Sequence, residues 1–166
     1  ENWFANTPGL KVVIPSNPYD AKGLLKAAIR DNDPTIFMES ELMYGDKGLV
    51  PEKDYFLEIG KANIVKDGKD VTLVSFGKFM KIANEAAAEM QKEGVNVEVI
   101  DLRSVKPIDY KTIIYSVKKT NRLVILEETW PVASISSDIS HIVQRNAFDY
   151  LDAPIYRVVS KDLPLP

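Results

Sequence analysis

Residues 95–126 read VNVEVIDLRSVKPIDYKTIIYSVKKTNRLVIL, an apolar strand, a helix and a second apolar strand in succession. The run from Val95 to Leu102 first alternates and then stays apolar, which predicts a buried strand. Residues 107–119 predict a helix, with apolar positions at Ile108, Ile113, Ile114 and Val117. Leu123 to Leu126 is the second strand. Strands that alternate with helices imply parallel pairing and right-handed crossovers, so this stretch predicts an α/β fold.

The segments on either side continue the alternation of strands and helices. They predict strands at 61–65 and 71–76, a helix at 81–92, a helix at 134–146 and a strand at 155–159. Asp67 and Gly68 lie between the first two strands and are typical of a hairpin turn, which predicts that these two strands pair with each other. Residues 61–166 are therefore expected to form one domain with the order β-β-α-β-α-β-α-β and a mostly parallel sheet.

The first 44 residues contain too few elements for a domain of their own. They predict a strand from Lys11 to Pro15, a helix from Ala21 to Arg30 and a strand from Thr35 to Met38. We interpret residues 1–44 as the carboxyl-terminal remainder of a domain. Glycine, proline and charged residues in 45–60 indicate a linker. The charges support this division, since residues 1–60 carry 6 basic and 10 acidic side chains, against 15 and 14 in residues 61–166.

Composition excludes several kinds of protein. The net charge of −3 over 166 residues leaves no broad basic face, so no nucleic-acid partner is expected. The chain has no cysteine, which excludes disulfides, thiolate metal sites and a cysteine nucleophile. No apolar run approaches the roughly 20 residues that span a bilayer, so no membrane partner is expected. The chain opens on Glu1 without Met and ends at Pro166, which suggests a cut at each end or, alternatively, processed termini.

Polar residues follow two predicted strands at their carboxyl ends, where open α/β sheets place ligands. In the segment Asp101–Asp109, Arg103 and Lys106 could meet a phosphate or carboxylate. Alternatively, Asp101 and Arg103 hold a loop in place and Pro107 opens the next helix. The sequence alone leaves both interpretations open.

The second strand end reads Glu127-Glu128-Thr129-Trp130-Pro131. A carboxylate pair there could act in acid–base chemistry, but it could equally cap the following helix or face a partner, and the structural interpretation is favoured. His141, the only histidine, falls within a predicted helix. No serine, cysteine or carboxylate has a sequence reason to pair with it, so a structural histidine is favoured over a general base.

The run Ala28-Ile29-Arg30-Asp31-Asn32-Asp33-Pro34 ends a predicted helix and is rich in oxygen ligands. The last carbonyls of a helix lack partners within it and carry the negative end of its dipole. Asp31 and Asp33 add carboxylates, and hard cations prefer such oxygens. A cation site and a solvated helix end are therefore the two alternatives.

Several stretches resemble one family over essentially the whole chain. Residues 5–16 (ANTPGLKVVIPS) and 18–25 (PYDAKGLL) resemble the β subunit of thiamine-diphosphate-dependent 2-oxo acid dehydrogenases. Residues 39–45 (ESELMYG) are similar to the pyruvate-type members rather than the branched-chain ones. Residues 101–109 (DLRSVKPID) and 147–154 (AFDYLDAP) resemble the family's carboxyl-terminal domain.

The resemblance implies the end of a pyrimidine-binding thiamine-enzyme domain, followed by a transketolase C-terminal-like domain. It implies an oxidoreductase that decarboxylates pyruvate on thiamine diphosphate and acetylates lipoyl groups. The implied partners are an α subunit, a second β subunit and the dihydrolipoyl acetyltransferase core. Magnesium is implied with the diphosphate on the α subunit. The compartment would be the bacterial cytoplasm or, in a eukaryote, the mitochondrial matrix or a plastid.

The resemblance assigns no catalytic and no thiamine-contacting residue to this chain, since the family's glutamate and its His-Ser-Gln motif lie upstream of Glu1. It does carry over a potassium site at the positions of Ala28, Ile29, Asp31 and Asp33, where familiar pyruvate-type members have asparagine in place of Asp33. The fragment would then supply assembly contacts and a cation segment and be inactive alone. The alternatives are a branched-chain enzyme, a pure dimerisation and docking module, or another thiamine enzyme such as transketolase.

Overall fold

The structure is a computed structural model that describes residues 1–163, so the predicted end of the chain at Pro164–Pro166 lies outside the described residues. Its helices are α1 (Asn2–Ala5), α2 (Pro18–Arg30), α3 (Phe79–Lys92), α4 (Tyr110–Thr120) and α5 (Ile135–Ala147), with 3₁₀ turns at Glu41–Met43 and Phe148–Tyr150. Its strands are β1 (Lys11–Val13), β2 (Thr35–Phe37), β3 (Asn63–Lys66), β4 (Val71–Ser75), β5 (Val97–Asp101), β6 (Ser104–Lys106), β7 (Leu123–Leu126) and β8 (Tyr156–Val158). Among these helices, none combines the length and apolarity that crossing a bilayer requires.

The larger sheet has the strand order β3-β5-β4-β7-β8. Every neighbouring pair in it is parallel except β3 and β5, which confirms the predicted mostly parallel α/β fold. Helices cover both faces, as continuous apolar strands require. One face carries α4 and α5 over Val74, Ile100 and Ile125, and the other carries α3 over Leu73 and Val99.

A smaller sheet has the order β2-β1-β6. Strand β1 pairs in parallel with β2 and antiparallel with β6, so this sheet combines strands from before and after the predicted linker. Val12 of β1 is fully buried and belongs to the core under α4 and α5. The division into residues 1–44, 45–60 and 61–166 stays a prediction.

The predicted hairpin at Asp67-Gly68 is wrong, because β5 lies between β3 and β4. Gly68 instead lets the chain pass closely over β5: a Cβ atom there would overlap main-chain atoms of Val97 and Glu98. Its N–H also donates to Glu98 Oε2 at 3.3 Å. The glycine is needed for close backbone approach rather than for a two-residue turn.

The helix predicted from Pro107 begins later, at Tyr110. Asp109 caps it, since its Oδ1 accepts a hydrogen bond from Thr112 N at 3.2 Å. The preceding residues form β6, which sequence patterns did not indicate, and its pairing with β1 keeps them extended. The Lys106–Pro107 peptide bond is cis.

Candidate functional site

Helix α2 begins and ends as its sequence directs. Pro18 lies in its first turn, where a missing N–H costs nothing, and Asn17 Oδ1 accepts from Asp20 N at 2.8 Å. The helix ends at Arg30, and Asp31 leaves it in an extended conformation. We call residues 28–33, at this end, the cation segment.

The two carboxylates of the cation segment converge on one lysine. Lys11 Nζ lies 2.7 and 2.6 Å from the Oδ1 and Oδ2 atoms of Asp31, and 3.0 Å from Asp33 Oδ2. Hydrogen bonding to Lys11 lowers the pKa of Asp31, and hydrogen bonding to Asp31 raises the pKa of Lys11. Lys11 carries one positive charge and contacts two carboxylates, so these three side chains keep a net negative charge that asparagine in place of Asp33 would remove.

The oxygen donors that remain at this helix end are main-chain carbonyls. Ala28 O accepts a weak hydrogen bond from Asp31 N at 3.3 Å, and Ile29 has an exposed side chain. No group of three or more histidine, cysteine, aspartate or glutamate residues within 1–163 has the arrangement of a metal site. Because Lys11 contacts both carboxylates, the carbonyls are the oxygens at this helix end that Lys11 leaves open to a cation.

Arg103 meets a carboxylate, but the carboxylate belongs to α2. Its Nε and Nη2 atoms donate to the Oδ2 and Oδ1 atoms of Asp20 at 3.0 and 2.6 Å. The Asp20 side chain is 1% exposed, so the pair is shielded from solvent. Within residues 1–163, Lys106 makes no such contact, and it lines a surface groove. The structure therefore supports the interpretation in which this segment holds a loop in place.

Asp101 lies beside this pair and is fully buried. Burial raises the pKa of its carboxyl to about 6, although hydrogen bonds from Ser16 Oγ and from Arg103 N oppose that rise. Ser16 precedes α2, whereas Asp101 ends β5. Their hydrogen bond thus joins the loop between β1 and α2 to the larger sheet, at the edge where its parallel strands end.

The carboxylates of Glu127 and Glu128 make different contacts. Glu127 is buried and accepts hydrogen bonds from Ser136 N at 3.1 Å and from Ser136 Oγ, so it caps α5. Glu128 is exposed and pairs with Lys78 at 2.5 Å. This arrangement supports the capping interpretation rather than a catalytic pair. Trp130 donates through Nε1 to Leu163 O at 2.8 Å and is 38% exposed.

His141 lies on the exposed side of α5. Its ring makes no hydrogen bond within residues 1–163, and nothing in that part of the chain prepares it as a general base. The structural interpretation is therefore the one that the geometry supports.

A groove of about 930 Å³ lies between α1, the β6–α4 loop and the start of α5, and it too was not predicted from sequence. Trp3, Ile108 and Ile135 contribute apolar surface to it. Three segments that are distant in sequence form this groove, so no local pattern could have indicated it.

Two domain families match the chain. The transketolase C-terminal domain matches residues 60–166, and the transketolase pyrimidine-binding domain matches residues 1–47. A solved structure of a split-gene transketolase, described as an inactive beta4 tetramer, superposes with a TM-score of 0.77 at 24% identity. It covers 99% of this chain and 52% of its own chain, and at that identity it supports the fold alone.

Curated relatives match at higher identity. The pyruvate dehydrogenase E1 component subunit beta of Rhizobium meliloti is 54% identical over 99% of this chain, which is 36% of the relative. The mitochondrial subunit of Dictyostelium discoideum is 47% identical over 99% of this chain and 47% of its own length. The acetoin:2,6-dichlorophenolindophenol oxidoreductase subunit beta of Bacillus subtilis is 50% identical over 98% of this chain and 48% of its own length. This chain thus spans about half or less of the length of each.

Proposed function

The chain belongs to the transketolase family, and on that premise we propose that it is part of the β subunit of a pyruvate dehydrogenase E1 component. The observation that carries the proposal is the identity of 47–54% with such subunits over nearly the whole chain. The whole enzyme would decarboxylate pyruvate and acetylate lipoyl groups. Its compartment would be the bacterial cytoplasm or the mitochondrial matrix, since one relative is from a bacterium and another is named as mitochondrial.

Thiamine diphosphate, when bound, would supply the carbanion chemistry that cleavage next to a keto group needs. No residue of this chain is assigned to contact it. The contribution of this chain is to hold the subunit together and to present surfaces to partners. The Asp20–Arg103 ion pair and the pairing of β1 with β6 support the first role.

Potassium would be held at the cation segment, by carbonyl oxygens of Ala28 and Ile29 with Asp31 and Asp33 close by. Main-chain carbonyls at a helix end already carry partial negative charge, so a monovalent cation is stabilised there without a carboxylate cluster. Lys11 neutralises one of the two carboxylate charges, so a net negative charge remains beside these carbonyls and favours a cation. The ion would order the exit from α2.

Apolar side chains on the segment after β2 support contact with other subunits. Leu42 is 80% exposed, Tyr44 72% and Leu49 96%. Exposed apolar groups that follow one another along a segment are typical of protein interfaces. An α subunit or a second β subunit is the proposed occupant, and the acetyltransferase core would meet the carboxyl-terminal domain.

The experiment is a substrate comparison with the full-length β subunit assembled with its α subunit and loaded with thiamine diphosphate and magnesium. Release of carbon dioxide is measured with pyruvate and with branched-chain 2-oxo acids. We expect kcat/KM for pyruvate to be larger by about tenfold or more. Equal or higher values with branched-chain acids would contradict the proposal.

A second candidate is an oxidoreductase that acts on acetoin. It is favoured by one observation, the 50% identity to the Bacillus subtilis acetoin enzyme subunit. The two candidates share the fold and the implied cofactor, so only the substrate separates them.

A further inference from the structure

We propose that Arg103 is a positioning residue for the cation segment, through which the carboxyl-terminal domain sets the orientation of α2. This inference rests on the cation site of the proposed function and deepens it. Within residues 1–163, the Arg103–Asp20 pair is the only ion pair that joins residues 1–60 to the rest of the chain.

The geometry of the pair suits orientation rather than attraction alone. The planar guanidinium meets both oxygens of Asp20, and two parallel hydrogen bonds fix direction as well as distance. The side chains are 14% and 1% exposed, so solvent does not compete for the partners. A lysine at this position would bring a point charge without the fixed fork.

The backbone of Arg103 is held in an unusual conformation. Its φ of 60° lies in the left-handed region, which residues other than glycine and asparagine seldom adopt. Its N–H donates to Asp101 Oδ1 at 3.0 Å, and its carbonyl accepts from Ile14 N at 2.8 Å. Residues are kept in such conformations where the surroundings over-determine them. Here the conformation directs the guanidinium toward Asp20 on α2. Glycine would adopt this φ easily, but it has no side chain to bind Asp20.

Two rigid routes connect Arg103 to the cation segment. The first is α2 itself, which runs from Asp20 to Ala28 over about 12 Å at the usual helical rise. The second begins at β6, directly after Arg103, and crosses by hydrogen bonding to β1. Strand β1 carries Lys11, and Lys11 binds Asp31. These contacts form a closed ring. A change in the orientation of Arg103 would therefore move both α2 and Lys11, which meet at the cation segment.

The test uses the full-length β subunit assembled with its α subunit, in Arg103→Met, Arg103→Lys and Asp20→Asn forms. Arg122→Met is the matched control, since Arg122 is an exposed arginine that pairs with Asp152 at 3.4 Å. Melting temperature is measured against potassium chloride at constant ionic strength, with choline chloride as the balancing salt. The readout is the potassium concentration that gives half of the stabilisation.

We expect Arg103→Met and Asp20→Asn to raise that concentration by about fivefold, within the range of coupling through rigid elements, and the control to leave it unchanged. Arg103→Lys should fall between. If wild type responds to potassium and both variants only lower the melting temperature, with the half-saturating concentration unchanged, the positioning role is overturned and the cation site survives. If wild type itself shows no potassium response, the cation site and the inference fail together, while pyruvate turnover still decides the enzyme assignment.

Discussion

Lys11 Nζ lies 2.7 and 2.6 Å from the two carboxylate oxygens of Asp31, and this ion pair joins the start of β1 to the end of α2. The contact spans 20 residues of sequence and lies where we propose that a cation binds. One ammonium group contacts both carboxylates of Asp31 and Asp33 and neutralises one of their two negative charges.

Replacing Lys11 should therefore make the protein more dependent on potassium. In Lys11→Met, Asp31 and Asp33 lose their shared partner and repel each other, so the melting temperature in choline buffer should fall. Potassium should restore part of the loss, because a cation can then approach the carboxylates. Lys81→Met, at an exposed lysine of α3, is the control and should show the wild-type potassium response. An identical fall in both salts would contradict this expectation.

The buried carboxyl of Asp101 should make the protein less stable as pH rises. Burial raises its pKa to about 6 from the model-peptide value of about 3.8, so the folded state favours the protonated form. The stabilising contribution is complete below pH of about 4 and is lost as pH rises through about 6. Asp101→Asn has no carboxyl to titrate and should lack this loss. Between pH of about 4 and about 6, its unfolding free energy should rise relative to that of wild type by on the order of 3 kcal/mol at most. Urea unfolding at several pH values measures this difference. If the unfolding free energies of wild type and Asp101→Asn change in parallel with pH, the raised pKa of the buried carboxyl is contradicted.

Glu127 should matter for stability and not for turnover. Glu127→Ala leaves the buried donors of Ser136 without an acceptor, which should cost about 1–3 kcal/mol of unfolding free energy. Glu127→Gln keeps an acceptor oxygen and should cost less than about 1 kcal/mol. Chemical unfolding gives both values. A large fall in kcat for a well-folded Glu127→Gln enzyme would instead support the acid–base interpretation.

Gly68 and Gly45 form a matched pair of alanine substitutions. A Cβ at Gly68 would meet the main chain of β5, whereas one at Gly45 meets nothing within 4 Å. Gly68→Ala should destabilise the protein by about 1–3 kcal/mol through overpacking. Gly45→Ala should change it by less than about 1 kcal/mol. Equal effects in thermal unfolding would mean that the close approach to β5 is not a constraint.

Local patterns were enough to predict the alternation of strands and helices, because apolar spacing reports burial directly. They failed where the pairing of a strand depends on a segment that is distant in sequence. Asp67-Gly68 has the chemistry of a hairpin turn, but the insertion of β5 is a property of the whole sheet. Residues 104–106 form a strand only because β1 is there to pair with them.

The candidate site shows the same limit. The oxygen-rich end of α2 was visible as a run of residues, and the family resemblance pointed to potassium. Its lysine partner was not visible, since nothing local links Lys11 to Asp31. Arg103 looked like a ligand for an outside anion because its partner, Asp20, lies 83 positions away.

The central claim is that this chain serves an enzyme acting on pyruvate, and its most direct test is a comparison of pyruvate with acetoin. The full-length β subunit, assembled with its α subunit and thiamine diphosphate, is given each substrate with 2,6-dichlorophenolindophenol as the electron acceptor. We predict a kcat/KM for pyruvate that exceeds the value for acetoin by about tenfold or more. A higher kcat/KM with acetoin would contradict the account and assign the chain to the second candidate.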